Sequence, residues 1–294
     1  MGRPVLVTGL SGFTGEYVAR ALEAAGYRAV GLTRHDNSRS ETPISVNLLD
    51  RDLAMVIGEI QPIAVIHLAA VAFVGHGSIE DFYRVNVVGT HNLLSALDES
   101  QCQPELVILA SSANVYGNST AEMLTENSPF NPANDYAVSK VAMEYAARLW
   151  RDKLPITIVR PFNYTGRGQN LNFVIPKIVD HFRRRAASIE LGNLNVARDF
   201  SDVRDVSSVY VNLLERRLAD KILNICSGVS TPLADVLQLC AEFTGHSMNE
   251  NANSNFKRSN EVERLRGDPR HLLMTTEHMP KYCLEETLRW MLEE

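Results

Sequence analysis

Val5-Leu6-Val7-Thr8-Gly9-Leu10-Ser11-Gly12-Phe13-Thr14-Gly15 carries an apolar run of strand type into three glycines spaced G-x-x-G-x-x-G, and an amphipathic stretch follows (Tyr17, Val18, Ala21, Leu22, Ala25). Glycines placed so permit a tight turn, close approach of the backbone to a pyrophosphate, and close helix–strand packing. Exposed N–H groups and the dipole at the start of the helix attract phosphate. A strand, a glycine loop and a helix in that order form the context a dinucleotide site requires. The loop alone leaves open a glycine-rich turn with no ligand.

Outward from this loop, short apolar runs alternate with amphipathic stretches over the first two-thirds of the chain. The pattern predicts strands at Val5–Thr8, Ala29–Leu32, Ser45–Val46, Ala64–Leu68, Leu106–Ala110 and Thr157–Arg160, and helices at Thr14–Ala25, Asp50–Ile60, Phe82–Leu97 and Tyr136–Asp152. Such alternation gives a parallel sheet covered on both faces, so the expected class is α/β, doubly wound. Beyond Pro161, glycine and asparagine become frequent, and helices are expected from about Phe173 to Arg185, at Leu233–Thr244 and at Leu284–Leu292. Ile222–Cys226 reads as a strand returning to the main sheet, and the polar stretch Asn249 to Asn260 as a loop. Residues 1–163, with the strand near 222–226, are expected to form the dinucleotide-binding domain, and 164–294 mainly a smaller lobe over the mouth of the sheet.

The chain has 294 residues, 45% hydrophobic and 22% charged, enough for one large core or one core plus a lobe. A net charge of −6 argues against a nucleic-acid partner, and Arg183-Arg184-Arg185 is the one basic block. Cys102, Cys226, Cys240 and Cys283 are widely spaced, with no metal-ligand pattern, and read as reduced thiols. No apolar run reaches 18 residues, and the first strand begins at Pro4-Val5, so neither a membrane span nor a signal peptide is expected. The expected compartment is the cytoplasm.

Tyr136-Ala137-Val138-Ser139-Lys140 places a phenol and an ammonium four apart on one helix face. A neighbouring ammonium favours phenolate, so the pair is expected to act as a proton-transfer group near neutral pH. Hydride arriving at a ketone carbon builds an alkoxide, which needs donors aimed at its oxygen. Tyr136 and the upstream Ser112 supply them.

Together, Thr8-Gly9-x-x-Gly12-x-x-Gly15, His67-Leu68-Ala69-Ala70, Asn86-x-x-Gly89-Thr90, Ser111-Ser112-Ala113-Asn114-Val115-Tyr116-Gly117, Tyr136-x-x-x-Lys140 and Arg160-Pro161-Phe162-Asn163 resemble the extended short-chain dehydrogenase/reductase family, nucleotide-sugar branch. The match runs over nearly the whole chain and implies a Rossmann-type sheet with a C-terminal substrate-binding lobe. Within the branch, the chain resembles reductases and dehydratases of GDP-linked 6-deoxy sugars. The resemblance implies Ser112, Tyr136 and Lys140 as the catalytic set, with Lys140 also clamping a ribose. It implies Gly9, Ser11, Gly12, Phe13, Gly15, Arg34, Asn47, Leu48, Leu68, Ala69, Ala70, Tyr136 and Lys140 around the cofactor. Asn163, Lys177, Arg198, Arg258 and Glu261 are implied for the nucleotide-sugar, where a diphosphate asks for cations and arginine offers a fork. The expected partner is therefore a nucleotide-diphosphate sugar, GDP-linked, and a homodimer through two helices per subunit is implied.

Two positions refine the expectation. Dehydratases of the branch carry a carboxylate two residues after the catalytic Ser/Thr; here Asn114 stands there, and an amide cannot take a proton at neutral pH. Glu126, on a loop, is the alternative carboxylate for that role. Arg34, at the end of the second strand, favours a 2′-phosphate and hence NADP(H), while Asp36 leaves NAD(H) open. The expected activity is NADPH-dependent reduction of the C4 ketone of a 4-keto-6-deoxy nucleotide-sugar. A 4-epimerase with tightly held NAD, a 4,6-dehydratase and a non-catalytic dinucleotide sensor are the alternatives. His67 is expected to be a packed strand-end residue, and Asp205 a helix cap.

Overall fold

The computed structural model describes residues 2–33, 43–72, 78–194, 196–253, 262–277 and 279–293. Its frame is a run of parallel strands, β1 (Pro4–Thr8), β2 (Arg28–Thr33), β3 (Pro43–Ser45), β4 (Ala64–His67), β5 (Leu106–Ala110) and β6 (Ile156–Pro161). Between them lie α1 (Phe13–Ala24), α2 (Leu53–Ile60), α3 (Ile79–Tyr83), a π-helical turn at Arg84–Gly89, α4 (Thr90–Glu99) and α5 (Asp135–Arg148). The period-2 pattern of the strands explains why both faces are covered. Val5, Val7, Ala64, Ile66, Leu106 and Ile108 point into one core, whereas Leu6, Val65, Val107 and Leu109 point into another. The first core is closed by α1 and the second by α2, α4 and α5.

The later part of the chain contributes β7 (Asn163–Thr165), α6 (Val174–Arg183), β8 (Ser188–Leu191), β9 (Ala197–Asp202), α7 (Val203–Glu215), β10 (Ile222–Ile225), β11 (Ser230–Pro232) and α8 (Leu233–Thr244). It finishes with β12 (Asn249–Ala252), β13 (Arg264–Leu265), α9 (Arg270–Thr276) and α10 (Leu284–Leu292). The main sheet has seven parallel strands in the order β10-β6-β5-β4-β1-β2-β3. β10 is thus its far edge, and α7 packs on α1 over the first core, through Val206, Val209 and Tyr210. A smaller sheet is ordered β11-β9-β13, with β7 also paired to β9. α6, α8 and α10 bury Ile178, Phe182, Val236 and Leu288 in a core of their own. Among the described residues, no helix is long and apolar enough to cross a membrane.

Four local features depart from the pattern-based expectation. The helix expected over Phe82–Leu97 is interrupted by the π-helical turn. There Asn86 leaves its own helix to bond Val71 N (2.9 Å), Val71 O (3.1 Å) and Ser139 Oγ (3.0 Å). Asn249–Ala252, expected as loop, pairs in parallel with β8, because backbone pairing at an edge does not require apolar side chains. Asp205 is not a cap: Asp202 caps α7 by accepting from Arg204 N at 2.7 Å, and Asp205 accepts from Lys281 N and Tyr282 N. Finally, the Met143, Tyr145, Ala146, Leu149, Trp150 side of α5, which the sequence leaves equally open to dimer contact or to packing on the sheet, divides: Met143 is buried, while Tyr145 and Leu149 are exposed, Leu149 at 82%.

Candidate active site

The strand order reverses between β1 and β4, and in open α/β sheets that reversal opens a crevice at the carboxyl ends of the strands. The glycine loop leaves β1 there, opposite Leu68, Ala69 and Ala70 at the exit of β4. Gly9 has φ +73°, and a Cβ on it would stand 2.9 Å from Ala69 N. On Gly15 it would stand 2.3 Å from Gly9 O, so only glycine lets the helix start this close to the turn. Gly12 is the N-cap of α1 with no side chain capping it, and a Cβ there would meet Gly9 O alone, at 3.2 Å. Ser11 and Gly12 are exposed, with Phe13 half-buried behind them. The uncapped helix start facing open space fits a pyrophosphate.

Below the crevice, His67 is a strut. It is buried, bonded through Nδ1 to Thr8 Oγ1 (2.7 Å) and through Nε2 to Thr90 Oγ1 (2.9 Å). Burial, with the Lys140 charge, lowers its pKa to about 3, so it stays neutral. Asn47 and Leu48 form a turn that closes on Asp50, and Leu48 is buried beside Gly89. Arg34, and with it the 2′-phosphate question, lies outside the described residues, as do Asp36, Arg258 and Glu261.

Ser112 stands just past the end of β5 and caps a short 3-10 turn, Ala113–Tyr116. α5 begins across from it, capped by the Asn134 side chain, which accepts from Ala137 N at 2.9 Å. Tyr136 and Lys140 point one turn apart from the same face and are both buried. The Ser112 hydroxyl lies near enough to the Tyr136 phenol to draw its pKa down, so the structure brings the two side chains together at the crevice. Lys140 Nζ donates to Ala110 O at 2.7 Å. Its pKa is lowered to about 8 by burial, against the pull of the Glu144 carboxylate.

The expected acidification of Tyr136 by Lys140 is not what the structure shows. Burial pushes the phenol up to about 12, and the nearby Ser112 hydroxyl offsets this only in part. The ammonium is committed to the β5 carbonyl rather than to the phenol. Tyr136 therefore keeps its proton across the neutral range, the state a proton donor needs. Asn114 donates to Ser112 Oγ from both its backbone N (3.2 Å) and Nδ2 (3.1 Å). Glu126, the alternative carboxylate, is engaged elsewhere, accepting from Asn224 N at 2.8 Å.

A second group of polar residues behind the crevice was missed at the sequence level. Glu144, one further turn along α5, accepts from Arg160 Nε (2.9 Å) and Nη2 (2.6 Å) and from Ser111 Oγ (2.5 Å). Arg160 Nη1 reaches Tyr116 Oη (2.8 Å) and Glu126 O (2.9 Å), and Tyr116 donates to Asn224 Oδ1 (2.7 Å). The stripe Tyr136, Lys140, Glu144 at intervals of four was the available signal. Tyr164 is likewise new: its hydroxyl meets Thr14 Oγ1 at 2.8 Å and its ring stacks on Phe13.

The residues nominated for the nucleotide-sugar are divided among elements. Asn163 opens β7 opposite Phe200, and Arg198 lies on β9 two residues before Phe200. Arg198 Nη1 donates to Ala197 O (2.9 Å) and Glu263 O (3.2 Å). Lys177, on α6, donates to Glu190 O at 2.6 Å. Asn163 and Arg198 thus share the small sheet, whereas Lys177 sits at the α6–β8 contact.

The profile of the NAD dependent epimerase/dehydratase family matches residues 5–226. Among curated proteins, the chain is similar to GDP-6-deoxy-D-talose 4-dehydrogenase of Aggregatibacter actinomycetemcomitans, 34% identical over 92% of this chain and 90% of that one. It is also similar to GDP-6-deoxy-D-mannose reductase of Pseudomonas aeruginosa, 31% identical over 100% of this chain and 97% of the relative. Among solved structures, a proposed epimerase from Burkholderia cenocepacia J2315 superposes with TM-score 0.93 at 45% identity, covering 99% of this chain and 97% of the other.

Proposed function

Because the chain belongs to the NAD dependent epimerase/dehydratase family and is an NAD(P)-dependent enzyme of nucleotide-sugar conversion, we propose that it reduces the C4 ketone of GDP-4-keto-6-deoxy-D-mannose to give GDP-D-rhamnose, with NADPH as donor. The observation that carries this reading is the placement of Tyr136 and Lys140 on one buried helix face beside Ser112, with an amide at position 114 donating to the Ser112 hydroxyl. Gly9, Ser11, Gly12, Phe13 and Gly15 would hold the pyrophosphate, Leu68–Ala70 the opposite wall, and Lys140 the ribose. When bound, the dihydronicotinamide supplies the hydride. Ser112 and Tyr136 hold the ketone oxygen, and as the C=O π pair moves onto that oxygen it takes the Tyr136 proton. Solvent then restores the proton to the phenolate. Asn114 has no basicity at neutral pH, so removal of the proton beside the ketone has no base at this position.

The test is direct. Purified protein with GDP-4-keto-6-deoxy-D-mannose should consume NADPH, seen as falling absorbance at 340 nm, and NADH more slowly. The proton coupling pattern of the isolated sugar gives the configuration at C4. A talo product would move the reading to the opposite face of the same ketone, which similarity to the talose dehydrogenase favours as the second reading. No consumption of either cofactor with this ketone rules the reading out.

The same reading includes a homodimer. Val88, Val138, Tyr145 and Leu149 expose apolar surface on the π-helical turn and on α5 and its end. Sedimentation equilibrium should give twice the chain mass, and Leu149→Glu should shift the protein toward monomer; a monomeric wild type at micromolar concentration would sink this assignment.

A further inference from the structure

We propose that Asn114 is a positioning residue, one that fixes the Ser112 hydroxyl as a hydrogen-bond donor toward the reacting ketone oxygen. A serine hydroxyl has one proton and two lone pairs. Asn114 supplies two donors to Ser112 Oγ, backbone N at 3.2 Å and side-chain Nδ2 at 3.1 Å. With both lone pairs filled, the remaining valence of Ser112 is its own O–H. That proton is left to point away from Asn114, toward the side on which the Tyr136 phenol lies and, with substrate present, the ketone oxygen.

The consequence concerns the tyrosine more than the serine. If Ser112 had a free lone pair, the Tyr136 phenol could donate its proton into it and lie in an unproductive hydrogen bond. Filling that lone pair keeps the phenol proton available to the ketone. Other polar groups around the crevice have partners of their own. Lys140 donates to Ala110 O, Tyr164 is hydrogen-bonded to Thr14, and Glu126 is held by Asn224 N. Asn114 is half-buried, so water competes poorly for the same lone pair. The role goes beyond the absence of a dehydration base: it is an active use of the amide's N–H.

The kinetic test rests on the reductase reading, and two substitutions separate polarity from shape. Asn114→Ala deletes one donor and should lower kcat by less than about tenfold. Asn114→Asp matches the amide in shape but can only accept when ionised, so it draws the Ser112 proton backward; kcat should fall about 10²-fold with KM nearly unchanged. A packing role would rank the two the other way. A direct charge effect is separated by repeating Asn114→Asp in a Ser112→Ala background, where the additional loss should nearly vanish. The same fold loss in both backgrounds, or Asp tolerated better than Ala, overturns the proposal.

A wild-type protein inert toward the ketone would overturn the reductase reading instead, and a neutron structure of the deuterated protein then decides this one. Deuterium on Ser112 Oγ directed at Tyr136, with Asn114 Nδ2 donating to Ser112, is expected. Deuterium directed back at the Asn114 side chain would overturn it.

Discussion

Replacing Tyr136 by phenylalanine should lower kcat for ketone reduction by about 10²–10⁴-fold, the range that a positioned general acid contributes. Dinucleotide affinity, followed by quenching of protein fluorescence, should barely change, because the substitution leaves the glycine loop and Lys140 in place. The loss should persist at saturating substrate, since the missing interaction belongs to the transition state. The pH profile of the wild type carries a companion expectation. Tyr136 is pushed up to about 12, so it holds its proton at every working pH, whereas Lys140 is lowered to about 8. The cation is complete below that value and is lost as the pH rises through it. kcat/KM for reduction should therefore decline above about pH 8 rather than near 10. A mutant that keeps full activity would remove Tyr136 from the chemistry.

Changing Glu144 to glutamine should cost about 3–5 kcal/mol of stability, as expected when one partner of a buried ion pair is removed. Glu144 and Arg160 are 0% and 1% exposed, and the guanidinium is held by two parallel bonds. Glutamine keeps the shape but leaves Arg160 charged and unpaired in the interior. The urea midpoint should fall with little change in slope. Arg160→Lys should also destabilise, because an ammonium cannot make the paired bonds to Glu144 and reach Tyr116 and Glu126 O as well. A Glu144→Gln midpoint within error of wild type would show that the pair adds nothing that a neutral amide cannot replace.

Much of the main sheet was legible because its signals are local. Val5–Thr8 and Leu106–Ala110 are apolar runs bounded by glycine, proline or serine, and a strand buried on both faces has little else it can be. Tyr136 and Lys140 were legible for a similar reason, since a four-residue interval on a helix fixes their common face. The protonation state of Tyr136 was not legible: spacing says that an ammonium is one turn away, not that Ala110 O has claimed it. The pairing of Glu144 with Arg160 was not legible because it joins residues 16 apart across a helix and a strand. The strand at Asn249–Ala252 escaped notice because its partner is backbone, which composition does not report. Arg34, Arg258 and Glu261 remain readings of the sequence.

The stripe Tyr136, Lys140, Glu144 joins the tool to its foundation along a single rod. Each turn of α5 carries one member, from the cleft, past the β5 carbonyl, to the interior pair with Arg160. Inserting or deleting one residue within this helix would rotate everything beyond it by about 100°, separating the phenol from its anchor in one step. Loops around the cleft can therefore change length in search of new sugars, while the spacing inside this rod stays locked.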